Sequence, residues 1–332
     1  MANLTFSGYN VRVRARILRL GAALGAVGVL LALPAAGADA AFPGTNGLIA
    51  FERGSDIYTV TTGSTPVVSS SALVANASDP SWSPNGKKLA FTQGGSVKVL
   101  TVDGGAIQTL DSGSAPTWSP DGTMIAYEKT TDIYVISSSG GTGRNLSNSG
   151  AGAADDDPTW SLDGDTIAFT RTTTNADIYT MIAPSDPSSG GGGGGGQQQL
   201  TTATSNETQP SYDPDGTRIA FASDRIGAAQ RQIYSISVSG GIETRETSST
   251  TDEYAPAHAP DGTVIAFART GAGIYTTGAG ERPITAGGTD TNPDWQPGAP
   301  TNTTLPVISG NFSDGGTMFA TTGTCASARS YA

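Results

Sequence analysis

The sequence predicts an all-β protein, a six-bladed β-propeller in which the chain's last strand completes the first blade. Three observations carry this. A segment of the form Pro-x-aromatic recurs along the chain, an Ala-aromatic pair follows it at constant distance, and the two ends of the array hold complementary halves of one repeat.

The repeat reads Pro80-Ser81-Trp82-Ser83-Pro84-Asn85-Gly86, then Pro116-Thr117-Trp118-Ser119-Pro120-Asp121-Gly122 and Pro158-Thr159-Trp160-Ser161-Leu162-Asp163-Gly164. Pro210-Ser211-Tyr212-Asp213-Pro214-Asp215-Gly216 and Pro256-Ala257-His258-Ala259-Pro260-Asp261-Gly262 continue it, and Pro293-Asp294-Trp295-Gln296-Pro297-Gly298 is an incomplete sixth. Eight residues after each ring of the five complete copies stands Ala90, Ala126, Ala168, Ala220 or Ala266, each followed by Phe or Tyr. Asp-Gly or Asn-Gly between two apolar runs signals a hairpin, here expected as a type I′ turn with positive φ at both central residues. The ring run and the Ala-aromatic run are therefore antiparallel neighbours. A third strand follows at Asp132-Ile133-Tyr134, Asp177-Ile178-Tyr179, Gln232-Ile233-Tyr234 and Gly273-Ile274-Tyr275. A weaker fourth fits Asn145-Leu146-Ser147 and Gln199-Leu200-Thr201. Four strands per period of 36 to 52 residues match a propeller blade.

The ring must close. Ala50-Phe51 and Asp56-Ile57-Tyr58 supply second and third strands with no Pro-x-Trp segment before them, while Trp295 stands in a first strand with nothing after it. Pairing the two completes a blade and leaves no open end. Asn46 lies four residues before its Ala where the other copies have five, so a different seam turn is expected.

The succession Pro-x-Trp-Ser-Pro-Asp-Gly, Ile-Ala-Phe, Ile-Tyr resembles the repeat of TolB-like propellers, relatives of the WD-repeat proteins, over residues 44–298. That resemblance implies a periplasmic or extracellular propeller that binds proteins. The motif is specific for fold and weak for function.

Domain organisation follows. Residues 1–40 have the layout of a secretory signal peptide: Arg12, Arg14, Arg16 and Arg19, an apolar run from Leu20 to Leu33, then Pro34 and the small-x-small site Ala38-Asp39-Ala40. Cleavage is expected, and retention as an anchor is the alternative. Residues 41–298 form the propeller. Residues 299–332 are a tail whose Leu305-Pro306-Val307-Ile308 and Gly316–Thr324 stretches resemble the opening strands of bacterial Ig-like repeats. A truncated segment of that kind and a simple tail are the two readings. Gly190 to Gly196 with Gln197-Gln198-Gln199 is read as a surface loop.

Composition excludes several functions. Without residues 1–40 the chain keeps 14 of its 18 basic and 28 of its 29 acidic residues, a net charge of −14. A nucleic-acid binder needs a basic face, so none is expected. Cys325 is the single cysteine, so no internal disulfide forms. His258 is the only histidine and occupies the repeat's ring position, where a packing role outweighs a catalytic one. One His and one Cys cannot supply a zinc site, and no Gly-x-Ser-x-Gly elbow exists. No catalytic residues are therefore expected.

One constellation remains. Three residues before each repeat proline stand Ala77, Gly113, Asp155, Glu207, Glu253 and Asp290. The last four are acidic and fall on consecutive blades, giving an arc expected near the mouth of the central channel, thickened by Asp156, Asp157 and Asp252. Such an arc would attract a basic segment or a hard cation such as calcium. The expected function is a non-catalytic scaffold outside the cytoplasm, secreted, periplasmic or on the cell surface. It binds a protein or peptide at the cell envelope, as a monomer, with no membrane span after signal cleavage. The alternatives are a metal-dependent, lyase-like carbohydrate-active propeller and a structural adhesin module.

Overall fold

The computed structural model describes residues 5–6, 9–10, 44–186, 195–227, 230–278 and 280–298. The tail 299–332, most of the expected signal segment and most of the glycine run lie outside the described residues. Contacts divide the chain into Met1–Gly37 and Ala38–Ala332. In the first unit β1 (Thr5–Phe6) pairs with β2 (Tyr9–Asn10).

The second unit holds the propeller. It opens with β3 (Asn46–Arg53) and β4 (Asp56–Val60). The second blade is β5 (Ser78–Trp82), β6 (Lys88–Gln93), β7 (Ser96–Thr101) and β8 (Ile107–Ser112). The third is β9 (Ser114–Trp118), β10 (Met124–Lys129), β11 (Asp132–Ser137) and β12 (Arg144–Asn145). The fourth is β13 (Ala154–Trp160), β14 (Thr166–Thr172), β15 (Ala176–Ile182) and β16 (Gln198–Gln199). The fifth is β17 (Glu207–Tyr212), β18 (Arg218–Ser223), β19 (Gln232–Ser237) and β20 (Thr244–Arg245). The sixth is β21 (Glu253–His258), β22 (Ile265–Arg269), β23 (Gly273–Thr276) and β24 (Arg282–Pro283). Finally β25 (Asp290–Pro297) returns to pair antiparallel with β3, giving the order β25-β3-β4. The seam blade's fourth strand is reduced to the bridges Val60–Val68 and Ile57–Val74. The inner strands β25, β5, β9, β13, β17 and β21 pack in cyclic succession, so the ring is closed.

The Ala-aromatic pair has a packing cause. Ala50 lies in one cluster with Trp82 of the next blade, Ala90 with Trp118, Ala126 with Trp160, Ala168 with Tyr212 and Ala266 with Trp295. Each alanine is small because the next blade's ring sits against it, and all of them are fully buried. The following ring, Phe51, Phe91, Tyr127, Phe169, Phe221 or Phe267, is fully buried too.

The Asp-Gly turn differs from the expected type I′. Only the glycine is left-handed, with φ from +65° to +72° at Gly86, Gly122, Gly164, Gly216 and Gly262. Gly86 N–H bonds Ser83 O at 2.8 Å, closing a type I turn, and the other four blades repeat that bond. The Asn or Asp side chain accepts the N–H two residues on, as Asp121 Oδ1 does from Thr123 at 2.9 Å. Proline at the first corner, common in these copies, fixes a φ that suits type I and excludes type I′.

The fifth blade departs from this pattern. Ser83, Ser119 and Ser161 donate their hydroxyls to the turn's Asn85, Asp121 and Asp163. Asp213 replaces that serine, so two carboxyls meet at Asp215. Burial, then the hydrogen bond and charge of Asp215, push Asp213 up to about 6. A raised value in the fold means stability that is present below the ordinary carboxylate range and is lost as pH rises through about 6. Asp213→Ser is therefore expected to stabilise the protein by about 1 kcal/mol at pH 7.5, after solvent screening at this half-open turn, and by almost nothing at pH 4. Urea unfolding at the two pH values checks it.

Candidate functional site

The site is built by the six prolines of the inner strands. The residue before each one is left-handed: Asp79 (φ 51°), Ala115 (47°), Asp157 (49°), Gln209 (58°), Ala255 (51°) and Asn292 (46°). Strand register shifts at this point in every blade, so each inner strand carries a β-bulge. Six non-glycine residues held there cost on the order of 1 kcal/mol each. Side chains accept the backbone N–H of four of them: Glu52 from Asp79 at 2.7 Å, Thr92 from Ala115 at 3.2 Å, Thr170 from Gln209 at 3.0 Å and Gln209 from Ala255 at 3.0 Å.

The bulge turns the residue before each proline toward the ring's axis. These six, with the six residues after the prolines (Ser81, Thr117, Thr159, Ser211, Ala257 and Asp294), line a central cavity of about 180 Å³.

One side of this channel is acidic: Asp79, Asp157 and Asp294 line it, and Glu52, Glu128 and Asp156 adjoin them. Burial first, then the charges of Asp156, Asp79 and Glu128, hold Asp157 well above the usual carboxylate range. Burial first, then Glu128, pushes Asp156 up to about 6. Burial raises Glu52 and Glu128 as well, and pushes Asp294 up to about 7. Among the described residues none of Glu52, Asp79, Glu128, Asp156, Asp157 and Asp294 is in a salt bridge. The opposite side is neutral at Gln209 and Ala255. Tyr254 adjoins Ala255 there, with the Arg231 guanidinium 4.4 Å over its ring.

The four acids singled out in the sequence are placed differently. Asp155, Glu207, Glu253 and Asp290 stand on consecutive blades, all at most 2% exposed, and none lines the cavity. Each holds an arginine, on the neighbouring strand for Arg53, Arg171 and Arg269 and just beyond it for Arg225. Arg171 grips both oxygens of Asp155 at 2.6 and 2.7 Å, and Arg53 grips both of Asp290 at 2.7 Å. The longer side chains of Glu207 and Glu253 present one oxygen to Arg225 and Arg269, and leave Oε2 buried without a partner. Every one of these guanidinium groups lies 4.1 to 5.9 Å over a Phe and a Tyr of its own blade. Asp252 is likewise engaged, by Arg231 at 2.7 Å.

The third blade rebuilds this latch from other residues. Gly113 stands at the acid position, and a Cβ there would strike Tyr127 and Glu128 O. Asp111, from the second blade's outer strand, reaches across to Tyr127 Oη at 2.6 Å and Lys129 Nζ at 2.8 Å. Gly143 leaves the room for that carboxylate, since a Cβ there would meet Tyr127 Oη and Asp111 Oδ2.

His258 sits between the fifth and sixth blades, with Nδ1 3.3 Å from Ser211 Oγ. Burial pushes it down to about 4, which makes it a weak base at neutral pH. Ser211 Oγ also accepts the His258 backbone N–H at 3.2 Å, so the pair ties two blades together. Among the described residues no group of three or more His, Cys, Asp or Glu side chains is arranged to hold a metal ion. No helix of the described residues is long and apolar enough to cross a membrane.

Known proteins share this architecture. Residues 191–302 match the family described as the TolB beta propeller domain. The fold is that of a TolB-like propeller. A putative TolB from Agrobacterium tumefaciens superposes with a TM-score of 0.55 at 22% identity, covering 76% of this chain and 99% of that one. TolB from Acinetobacter baumannii gives 0.58 at 20% identity, over 77% and 68%. A chain of the nidogen/laminin complex gives 0.58 at 12% identity, over 75% and 98%. No curated protein matches the sequence. At these identities a TolB-like propeller is a statement about fold, and function has to be argued from the channel.

Proposed function

We propose that this TolB-like propeller is a non-catalytic, monomeric binding scaffold outside the cytoplasm. Its channel mouth receives a basic segment of a protein or peptide at the cell envelope. The observation that carries this reading is the set of channel-lining acids Asp79, Asp157 and Asp294, none of which is in an ion pair among the described residues. Buried like charges cost stability, and a cationic partner would relieve that cost on binding. The signal-like layout of residues 1–40 supports export, and the net charge of −14 after its removal disfavours nucleic acid. One fold neighbour is a chain crystallised in a complex of two proteins. In this reading the ion pairs of Asp155, Glu207, Glu253 and Asp290 brace the mouth, and Asp79 and Asp157 meet the partner.

The test is capture of cell-envelope proteins on immobilised residues 41–332, beside a column carrying Asp79→Asn and Asp157→Asn. Asparagine tolerates the left-handed backbone, so both proteins should fold alike. A partner held about tenfold more weakly by the second column is expected. Equal retention by the two would remove the channel from the function.

A further inference from the structure

Asn46, at the start of β3, ties the seam blade to the turn of the sixth blade. Its Nδ2 donates to Asp261 Oδ2 at 2.9 Å, and its Oδ1 accepts the Asp261 backbone N–H at 3.2 Å. The Asp261 carboxylate is anchored in turn by the N–H and hydroxyl of Thr263, at 2.9 and 2.7 Å. The group at residue 46 must therefore donate to a carboxylate and accept from a backbone amide, which a carboxamide does and a carboxylate does not. Gly47 is fixed by a separate contact. A Cβ there would lie 2.6 Å from Gln296 O on β25, so the seam closes at this point only over glycine. Hydrogen bonding and packing together place an Asn-Gly pair, a thermolabile asparagine before a residue with no side chain, at the closure of the ring.

We propose that Asn46 is a site of spontaneous deamidation whose product unfastens the start of β3 from the sixth blade. The Gly47 backbone nitrogen bonds to Asn46 Cγ, the Cγ–Nδ2 bond breaks, and Nδ2 leaves as ammonia with the Gly47 N–H proton. Water then opens the resulting succinimide, either to aspartate or to isoaspartate. Glycine favours this ring closure because no side chain hinders the approach of its nitrogen. The contact with Asp261 is exposed, and Asn46 stands opposite Pro297, which has no N–H to give the ladder, so this end of β3 is weakly tied. The other Asn-Gly pair of the sequence, Asn85-Gly86, is pinned within its own turn. Gly86 N–H is spent on Ser83 O at 2.8 Å, and Asn85 Oδ1 accepts from Ser83 Oγ at 2.9 Å and from Lys87 N–H at 3.1 Å. Conversion at Asn46 replaces the Nδ2 donor by an oxygen, so two carboxylates face each other where a hydrogen bond stood. Isoaspartate adds a methylene to the backbone of β3 as well, which breaks its register with β25.

Ageing the full chain in mildly alkaline buffer, with peptide mass spectrometry over time, tests the chemistry. The peptide holding Asn46 should gain the mass of an amide-to-acid conversion, with isoaspartate among the products, while the peptide holding Asn85 stays unchanged. Conversion at Asn85 as fast as at Asn46 would overturn the proposal, and so would an Asn46 that persists. Hydrogen exchange tests the consequence. Asn46→Asp should lower the protection of the β25–β3 amides roughly fivefold and leave the β17–β18 ladder unchanged. Adding Asp261→Asn returns one amide and one carboxylate to the pair and should restore most of that protection. If Asn46→Asp fails to fold, the aged wild-type protein, separated by charge into converted and unconverted fractions, supplies the same comparison. Equal protection of the two forms, or a loss that Asp261→Asn does not relieve, would mean that Asn46 does not fasten the seam.

Discussion

Asp155→Ala is expected to destabilise the propeller by about 3–5 kcal/mol, because it strands the Arg171 guanidinium in the fourth blade. Asp155 is 1% exposed, and its two oxygens are the main acceptors of that arginine. Gln197 Oε1, at 2.8 Å, would remain, and a neutral amide oxygen cannot replace a carboxylate. The cost is that of a buried unpaired charge rather than of a lost bond. Adding Arg171→Met should therefore restore most of the stability, since a methionine can keep the contact with Phe169 and Tyr179. Urea unfolding of the single and double variants decides it. A double variant as unstable as the single one would mean that the pair contributes something other than charge satisfaction.

Trp295→Ala should cost a similar amount, about 3–5 kcal/mol, for a different reason. Trp295 is 3% exposed, packs against Ala266, Ile49 and Phe51, and donates its indole N–H to Ala257 O at 3.1 Å. Those neighbours belong to the sixth blade and the seam blade, so a cavity there weakens both sides of the closure. Trp160→Ala, in a blade whose strands are continuous in the chain, should unfold the ring at a comparable urea concentration. A seam variant that leaves the midpoint unchanged while the Trp160 variant lowers it would mean that β25 contributes nothing to cooperative folding.

The repeat was readable because local geometry constrains each of its residues. The glycine sits at a left-handed turn corner, the alanine lies beneath a neighbouring blade's ring, and the ring fills the gap between blades. The complementary ends, Ala50-Phe51 without its tryptophan strand and Trp295 without its partner, gave the seam for the same reason. The Asp-Gly pair alone signals type I′, and the turn is type I because Pro84, Pro120, Pro214 and Pro260 fix φ at its first corner. The channel was the less legible part. Along a regular strand, Asp155 and Asp157 would share a face, as would Glu207 and Gln209. The bulge before each proline breaks that alternation, so the nearer residue turns into the channel while the farther one turns to an arginine. No single-strand pattern shows such a bulge. A signal for the arginine latch was present in Arg53, Arg171 and Arg269, each two residues after the buried phenylalanine of the second strand.

Photocrosslinking from inside the channel tests the central claim, that a partner enters there, most directly. A photoreactive side chain at Gln209, which lines the cavity, is compared with one at Ile242, which is 91% exposed and outside the cavity lining. Illumination with cell-envelope proteins should join a partner to the Gln209 protein and not to the Ile242 protein. A partner joined only at Ile242 would contradict the channel as the binding site.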